Sequence, residues 1–173
     1  MSKIEFLKDQ IIESRNFTDR LITEIPEDLW YTMPQGMNAN FAWQIGHLLI
    51  SQNFHAITVI TGRNEKVSQI IPLTDYVKIF NGMGTLHRSV KKDLIAVCKL
   101  KDQFKAVHEI CIQNLSLLTD DILYEELMPI PFKHPVAHTK YEALSWSFKH
   151  EMWHCAEMEA IKWSLGYPTI WMK

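Results

Sequence analysis

Two histidines four residues apart, in His150-Glu151-Met152-Trp153-His154, are the residues of this 173-residue chain whose type and spacing point most directly to chemistry. Positions i and i+4 of a helix share a face, so two imidazoles there can grip one metal ion. With eight histidines in the chain the spacing alone means little, and His134 with His138 repeats it. The setting separates the two pairs. Ala143, Ser147, His150, His154, Glu157 and Ile161 follow a 4-3-4-3-4 spacing, which turns both imidazoles toward the inside of a helix bundle. His134 and His138 lie near Pro129, Pro131 and Pro135 and have no such scaffold.

Buried imidazoles need partners, and a metal with a third inward ligand supplies them while leaving coordination positions free for water or substrate. His47 is one candidate, set in Phe41-Ala42-Trp43-Gln44-Ile45-Gly46-His47-Leu48-Leu49, where Gly46 permits close approach of a neighbouring helix. His108, in the apolar seam of another helix, is the other, and spacing leaves the choice open. His55 and His87 carry no second signal and are expected at the surface or just outside a site. Imidazole ligands suit several transition metals, so the expected cofactor is one divalent ion, zinc or nickel.

Glu151 and Glu157 adjoin the histidine pair and are candidates for proton transfer. His150 to His154 also fits the His-Glu-x-x-His helix of zinc proteases. Against that reading, Cys155-Ala156-Glu157-Met158 lacks the extended glycine-histidine continuation, and only 19 residues remain after His154 to supply a third ligand. The cysteines, Cys98, Cys111 and Cys155, show no Cys-x-x-Cys spacing and read as free thiols, small core residues in a reducing compartment.

Four helices must position these groups. The stripe Leu7, Ile11, Ser14, Thr18, Leu21 and Ile25, polar at its centre, marks a first helix from Ile4. Pro26-Glu27-Asp28 opens a short turn, and Met33-Pro34-Gln35-Gly36 breaks the pattern before Asn38, an expected cap. A second helix, apolar nearly all round and so the most buried, then runs to about Thr61 and stops at Gly62-Arg63-Asn64. After Gly82 and Gly84, with Thr85 as cap, Val90, Leu94, Val97, Lys101, Phe104, His108, Cys111 and Leu115 predict a third helix. Residues 116–140 read as a crossover carrying an acidic, solvated run, Asp120, Asp121, Glu125 and Glu126. The fourth helix runs from Lys140 to Leu165 and ends at Gly166-Tyr167-Pro168. The expected fold is all-α, a single-domain antiparallel four-helix bundle over residues 1–173 with crossover connections.

Composition narrows the function. A 47% hydrophobic chain of this length can bury a substantial core, and a formal net charge of -2 offers no general attraction to phosphate backbones, so no nucleic-acid partner is expected. Charges interrupt the apolar residues of the first nine positions, and no stretch approaches a membrane span, so the expected place is the cytoplasm with no membrane partner. Trp43, Trp146 and Trp153 fit either core or pocket wall. Tyr167, Ile170, Trp171 and Met172 form an apolar tail that a homodimer contact or the chain itself would cover.

Two segments, Asn38-Ala39-Asn40-Phe41-Ala42-Trp43-Gln44-Ile45-Gly46-His47-Leu48 and His150-Glu151-Met152-Trp153-His154-Cys155-Ala156-Glu157, resemble the DinB superfamily in type and order. These are helical bundles related to bacterial thiol-dependent transferases, and the likeness in helix order extends over essentially the whole chain. The resemblance implies a metal held by His47, His150 and His154, and the choice of His47 over His108 rests on it. It also implies transfer of a low-molecular-weight thiol to a small electrophile. A metal-dependent hydrolase using Glu151 or Glu157, and a non-enzymatic metal-binding or interaction module, are the alternatives.

Overall fold

The computed structural model describes residues 1–82 and 88–168. Seven helices lie in chain order: α1 (Lys3–Glu24), α2 (Phe41–Asn53), α3 (Val59–Thr61), α4 (Glu65–Ile70), α5 (Leu73–Phe80), α6 (Val97–Leu115) and α7 (Lys140–Ser164). A π-helical turn, Phe54–Thr58, joins α2 to α3. The long stretches are therefore four: α1, α2 through α3, α6 and α7. The fold is all-α, and among the described residues only isolated bridges, Ala39 with Arg88 and Glu126 with Thr139, stand in for β-structure. No helix of the described residues is long and apolar enough to cross a membrane.

Local chemistry sets the boundaries. Ser2 and Glu5 form a capping box on α1, and Thr139 and Glu142 form one on α7, so both long helices start where two free backbone donors find side-chain acceptors. The Asp120 carboxylate adds to the α1 cap, accepting from the backbone of Lys3 at 3.0 Å and of Ile4 at 2.9 Å. One end of the acidic run thus holds the crossover against the first helix. Gly62 stops the second helical stretch at φ +91°, a conformation that other residues rarely adopt.

The second helix is the most buried, as its composition predicts. Every residue of Phe41–Asn53 is buried except His47. The stripe of α1 is buried as well, including its polar centre at Ser14 and Thr18. That centre faces charge. Arg15, 2% exposed, donates from Nε to Glu151 at 2.7 Å, from Nη2 to Gln52 at 2.9 Å and from Nη1 to the Phe104 carbonyl at 3.2 Å. Thr18 donates to Glu151 at 2.8 Å. One buried ion pair therefore ties α1 to α2, α6 and α7, alongside the apolar packing of α1 on α7 and of α2 on α5, α6 and α7.

Three features differ from expectation. The cap of α2 is Asn40, which accepts from the Trp43 amide, not Asn38. The third long helix begins at Val97, not Val90. Asn40 takes the Val90 carbonyl at 2.9 Å and the Val90 amide at 3.4 Å, holding that backbone beside the start of α2, and Leu94 is 56% exposed in the turn that follows. The apolar spacing there reflects loop packing. Residues 65–80, unassigned from the sequence, form α4 and α5, and the second carries a carbonyl the site uses. Thr85, Gly84 and His87, and Ile170, Trp171 and Met172, lie outside the described residues.

Replacing Arg15 by methionine leaves Glu151 buried without its counter-charge, a change that costs about 3–5 kcal/mol in comparable buried pairs. Urea melts of Arg15→Met should show a loss on that scale, with much of it recovered in the Arg15→Met, Glu151→Leu double variant. A single variant as stable as the parent would contradict the anchoring role.

Candidate metal centre

His47 is the one residue of α2 that is not buried, and it is held from behind. Its Nδ1 lies 2.8 Å from the Phe80 carbonyl at the end of α5. A carbonyl only accepts, so Nδ1 carries the proton and Nε2 presents a lone pair. Gly46 makes this approach possible, because a Cβ there would collide with the Phe80 ring. Trp43 stacks on the His47 ring at 4.8 Å between centroids and 11° between planes, while its Nε1 donates to the Ile79 carbonyl. The end of α5 and one tryptophan thus fix both the tilt and the tautomer of His47.

His154 is oriented in the same manner from α2. Its Nδ1 faces Gln44 Oε1 at 2.5 Å, and the Gln44 amide nitrogen donates to Glu157 Oε2 at 2.8 Å. The glutamine oxygen must therefore point at the histidine, which places the proton on Nδ1 and bares Nε2. Glu157 Oε2 is 3.4 Å from the same Nδ1. A ligating histidine whose other nitrogen donates to a carboxylate or an amide oxygen is the usual support of a metal site.

The ring nitrogens of the three histidines converge. His154 Nε2 and His150 Nε2 are 3.1 Å apart, and the ligand atoms of His47, His150 and His154 all lie within 4.8 Å of one another. Around a tetrahedral zinc with bonds near 2.0–2.1 Å, neighbouring nitrogens are about 3.3 Å apart, so the α7 pair is already close to ligand spacing. Trp146 stacks on His150 at 5.6 Å, as Trp43 does on His47. Trp153 packs edge-on to Trp146 and is 60% exposed.

Burial keeps His47 and His150 neutral. Burial, reinforced by His154, lowers His47 to about 4 against the pull of the Phe80 carbonyl. Burial and the neighbouring imidazoles lower His150 to about 2. Neutral imidazole is the metal-binding form, so these two are ready to ligate at neutral pH. Glu157 is lowered to about 2 by its bond to His154, outweighing burial, with Gln44 and Arg88 adding to the effect. Three imidazoles with converging ring nitrogens, backed by a carboxylate and an amide, fit a divalent transition metal.

The structure places the other sequence candidates elsewhere. His108 faces Gln52 at 2.9 Å, inside the Arg15 network, so His47 is the histidine that meets the α7 pair. Glu151 lies in that same network, bonded to Arg15 and Thr18 at the α1 contact. Its carboxylate is taken up there, which removes the general base that a His-Glu-x-x-His protease needs. Glu157 sits behind His154 as an orienting group. The His134 and His138 pair splits, with His134 buried and His138 exposed. Cys111 and Cys155 are buried free thiols, pushed up to about 12 and about 11 by burial, and read as core residues.

His55 was expected at the surface or just outside a site. It is 6% exposed, 5.7 Å from His150 between ring centroids, and its Nδ1 is 2.9 Å from Nε2 of His134. The pattern His47, Ser51, His55, four residues apart on one helix, was the available signal for it. Nothing local in the sequence marked His134.

A family model described as the DinB superfamily matches residues 10–158. No curated protein matches the chain.

Two outcomes follow from this geometry. At neutral pH His47 and His150 are neutral folded and unfolded, and contribute nothing to pH dependence. Below about 6.5 the unfolded chain takes up protons that native His47 and His150 refuse, each removing up to about 1.4 kcal/mol per pH unit. The loss continues for each group down to its folded value, about 4 for His47 and about 2 for His150. Denaturant melts of metal-free protein should therefore weaken steadily as pH falls from neutral to about 5, and flat stability would contradict the burial of neutral histidines. Gln44→Leu removes the acceptor behind His154 and should weaken metal binding about 10–100-fold, the usual effect of losing such support. Competition titration against a chelating dye measures it, and unchanged affinity would deny Gln44 its orienting role.

Proposed function

The chain belongs to the DinB superfamily, and within that family we propose a metal-dependent enzyme that joins a low-molecular-weight thiol to a small electrophile. The observation that carries the reading is the convergence of three imidazole nitrogens from α2 and α7. His47, His150 and His154 would hold one divalent ion, zinc or nickel, with coordination positions left for a ligand. When bound, such an ion lowers the pKa of a coordinated thiol and stabilises its negative charge.

The chain's own residues do the rest. The Phe80 carbonyl and the Gln44 and Glu157 pair keep Nδ1 of His47 and His154 protonated, so each ring offers only Nε2 to the site. Trp43 and Trp146 hold the ring planes and exclude water from one side of each imidazole. In the reaction the thiol gives up its proton to solvent water and its sulfur forms a bond to the electrophilic carbon. The electron pair of the broken bond leaves with the departing group, or moves onto the adjacent carbon of an activated double bond.

Thiol transfer is favoured over hydrolysis by where the carboxylates lie. Glu151 is bonded to Arg15, and Glu157 is bonded to Gln44 behind His154. Neither expected base faces the site to take a proton from water, whereas a thiol, more acidic than water, needs less help to ionise. We further propose that the protein works in the cytoplasm on a small-molecule substrate, and as a homodimer.

Protein loaded with zinc or with nickel should conjugate model electrophiles to at least one member of a panel of cellular thiols. His154→Ala should lose both the metal, by elemental analysis, and the conjugation. A metallated protein that conjugates none, while chelation only lowers its melting temperature, would leave a metal-stabilised module in place of an enzyme.

A further inference from the structure

Behind the three ligating histidines stands a second pair that they do not require. His55, in the π-helical turn after α2, and His134, in the crossover before α7, are 6% and 4% exposed and belong to segments 79 residues apart. Phe54 stacks on the His134 ring at 5.2 Å and 6°, and on Phe132 at 5.6 Å, so the crossover is laid flat against the turn. Single π-turns inside helices are frequent at functional sites because they re-aim a side chain.

The backbone dictates the proton positions of this pair. His134 Nδ1 accepts from the amide of Ala137 at 2.9 Å and from that of Val136 at 3.3 Å. It can carry no proton, so the His134 proton is on Nε2, which donates to His55 Nδ1 at 2.9 Å. His55 must then carry its own proton on Nε2. The two nitrogens of an imidazole point to roughly opposite edges, so this N–H is turned away from His134. Among the described residues it has no hydrogen-bond partner. The ring lies 5.7 Å from that of His150, yet His55 is not one of the three residues whose ligand atoms converge. An N–H donor of enforced direction beside the candidate metal centre thus has no protein acceptor, and it is not among the fully buried unpartnered atoms, so it stays open to an acceptor on a ligand.

We propose that His55 donates a hydrogen bond from Nε2 to an anionic ligand atom held at the metal centre, a thiolate sulfur or an oxyanion, and that His134 is the positioning residue that fixes its tautomer. The inference rests on the metal reading above. It assigns the ligand's charge at the point of contact, because a histidine locked as a donor favours a negative acceptor and disfavours a cationic one.

The test uses anion binding to cobalt-loaded protein, with azide and 2-mercaptoethanol as probes and the visible cobalt spectrum as readout. His55→Asn keeps an acceptor near the Nδ1 position for His134 and removes the Nε2–H. It should retain the metal at the parent's stoichiometry and bind azide about tenfold more weakly, the effect expected for one hydrogen bond to a charged group. His134→Leu should weaken azide binding in the same direction with the metal still present, and His134→Gln, which can both accept and donate, should restore it in part. Equal azide affinity in the parent and His55→Asn overturns the proposal while leaving the metal site intact. Loss of cobalt from His55→Asn also overturns it, by making His55 a ligand. Failure of the parent to bind cobalt at all sinks this proposal together with the metal reading.

Discussion

Everything at the candidate centre depends on one constraint: each buried imidazole has a single proton to place, and the protein decides where. An acceptor that cannot donate stands behind His47 in the Phe80 carbonyl and behind His154 in the Gln44 amide oxygen. Each forces its proton outward from the cluster and leaves a lone pair facing in. His150 Nε2 stands 3.1 Å from the bare Nε2 of His154, a spacing at which two imidazoles can share one divalent ion. The burial that lowers the basicity of His47 and His150 keeps both rings in the neutral form that ligates a cation. Fold, tautomer and electrostatics therefore favour the same divalent occupant.

The same helix carries two unlike tasks on adjacent residues. His150 and His154 look toward α2, while Glu151, one step round α7, looks toward α1 and meets Arg15. Arg15 in turn reaches Gln52 of α2 and the Phe104 carbonyl of α6. The ion pair locks α7 in rotation, and rotation decides whether two imidazoles point inward together. A sequence match to His-Glu-x-x-His hides this division, because it gives the glutamate a chemical task that its position does not allow.

Much of the scaffold was legible in order. Period-3.6 stripes identify α1, α2 and α7, because an apolar face is a local requirement that each segment must meet by itself. The polar centre of the α1 stripe, an irregularity in the pattern, proved to be where Arg15 and Thr18 receive Glu151. The start of α6 was misplaced because Val90 is buried for a reason outside its own segment, the two bonds that Asn40 makes to its backbone. Residues 65–80 were unassigned for a similar reason: α4 and α5 are short, and short helices draw their stability from what they pack on.

The sequence by itself determined the all-helical class, the burial of α2 and the shared face of His150 and His154, since each follows from the spacing of residues within one helix. Spacing could not choose between His47 and His108, nor reveal that His55 and His134 form a pair, nor say which carboxylate would face the histidines. Those are contacts between segments far apart in the chain, set by how helices rotate and cross when their cores close. Only the folded structure decides them, because an imidazole becomes a ligand, a donor or a core residue through whatever the rest of the chain places against its two nitrogens.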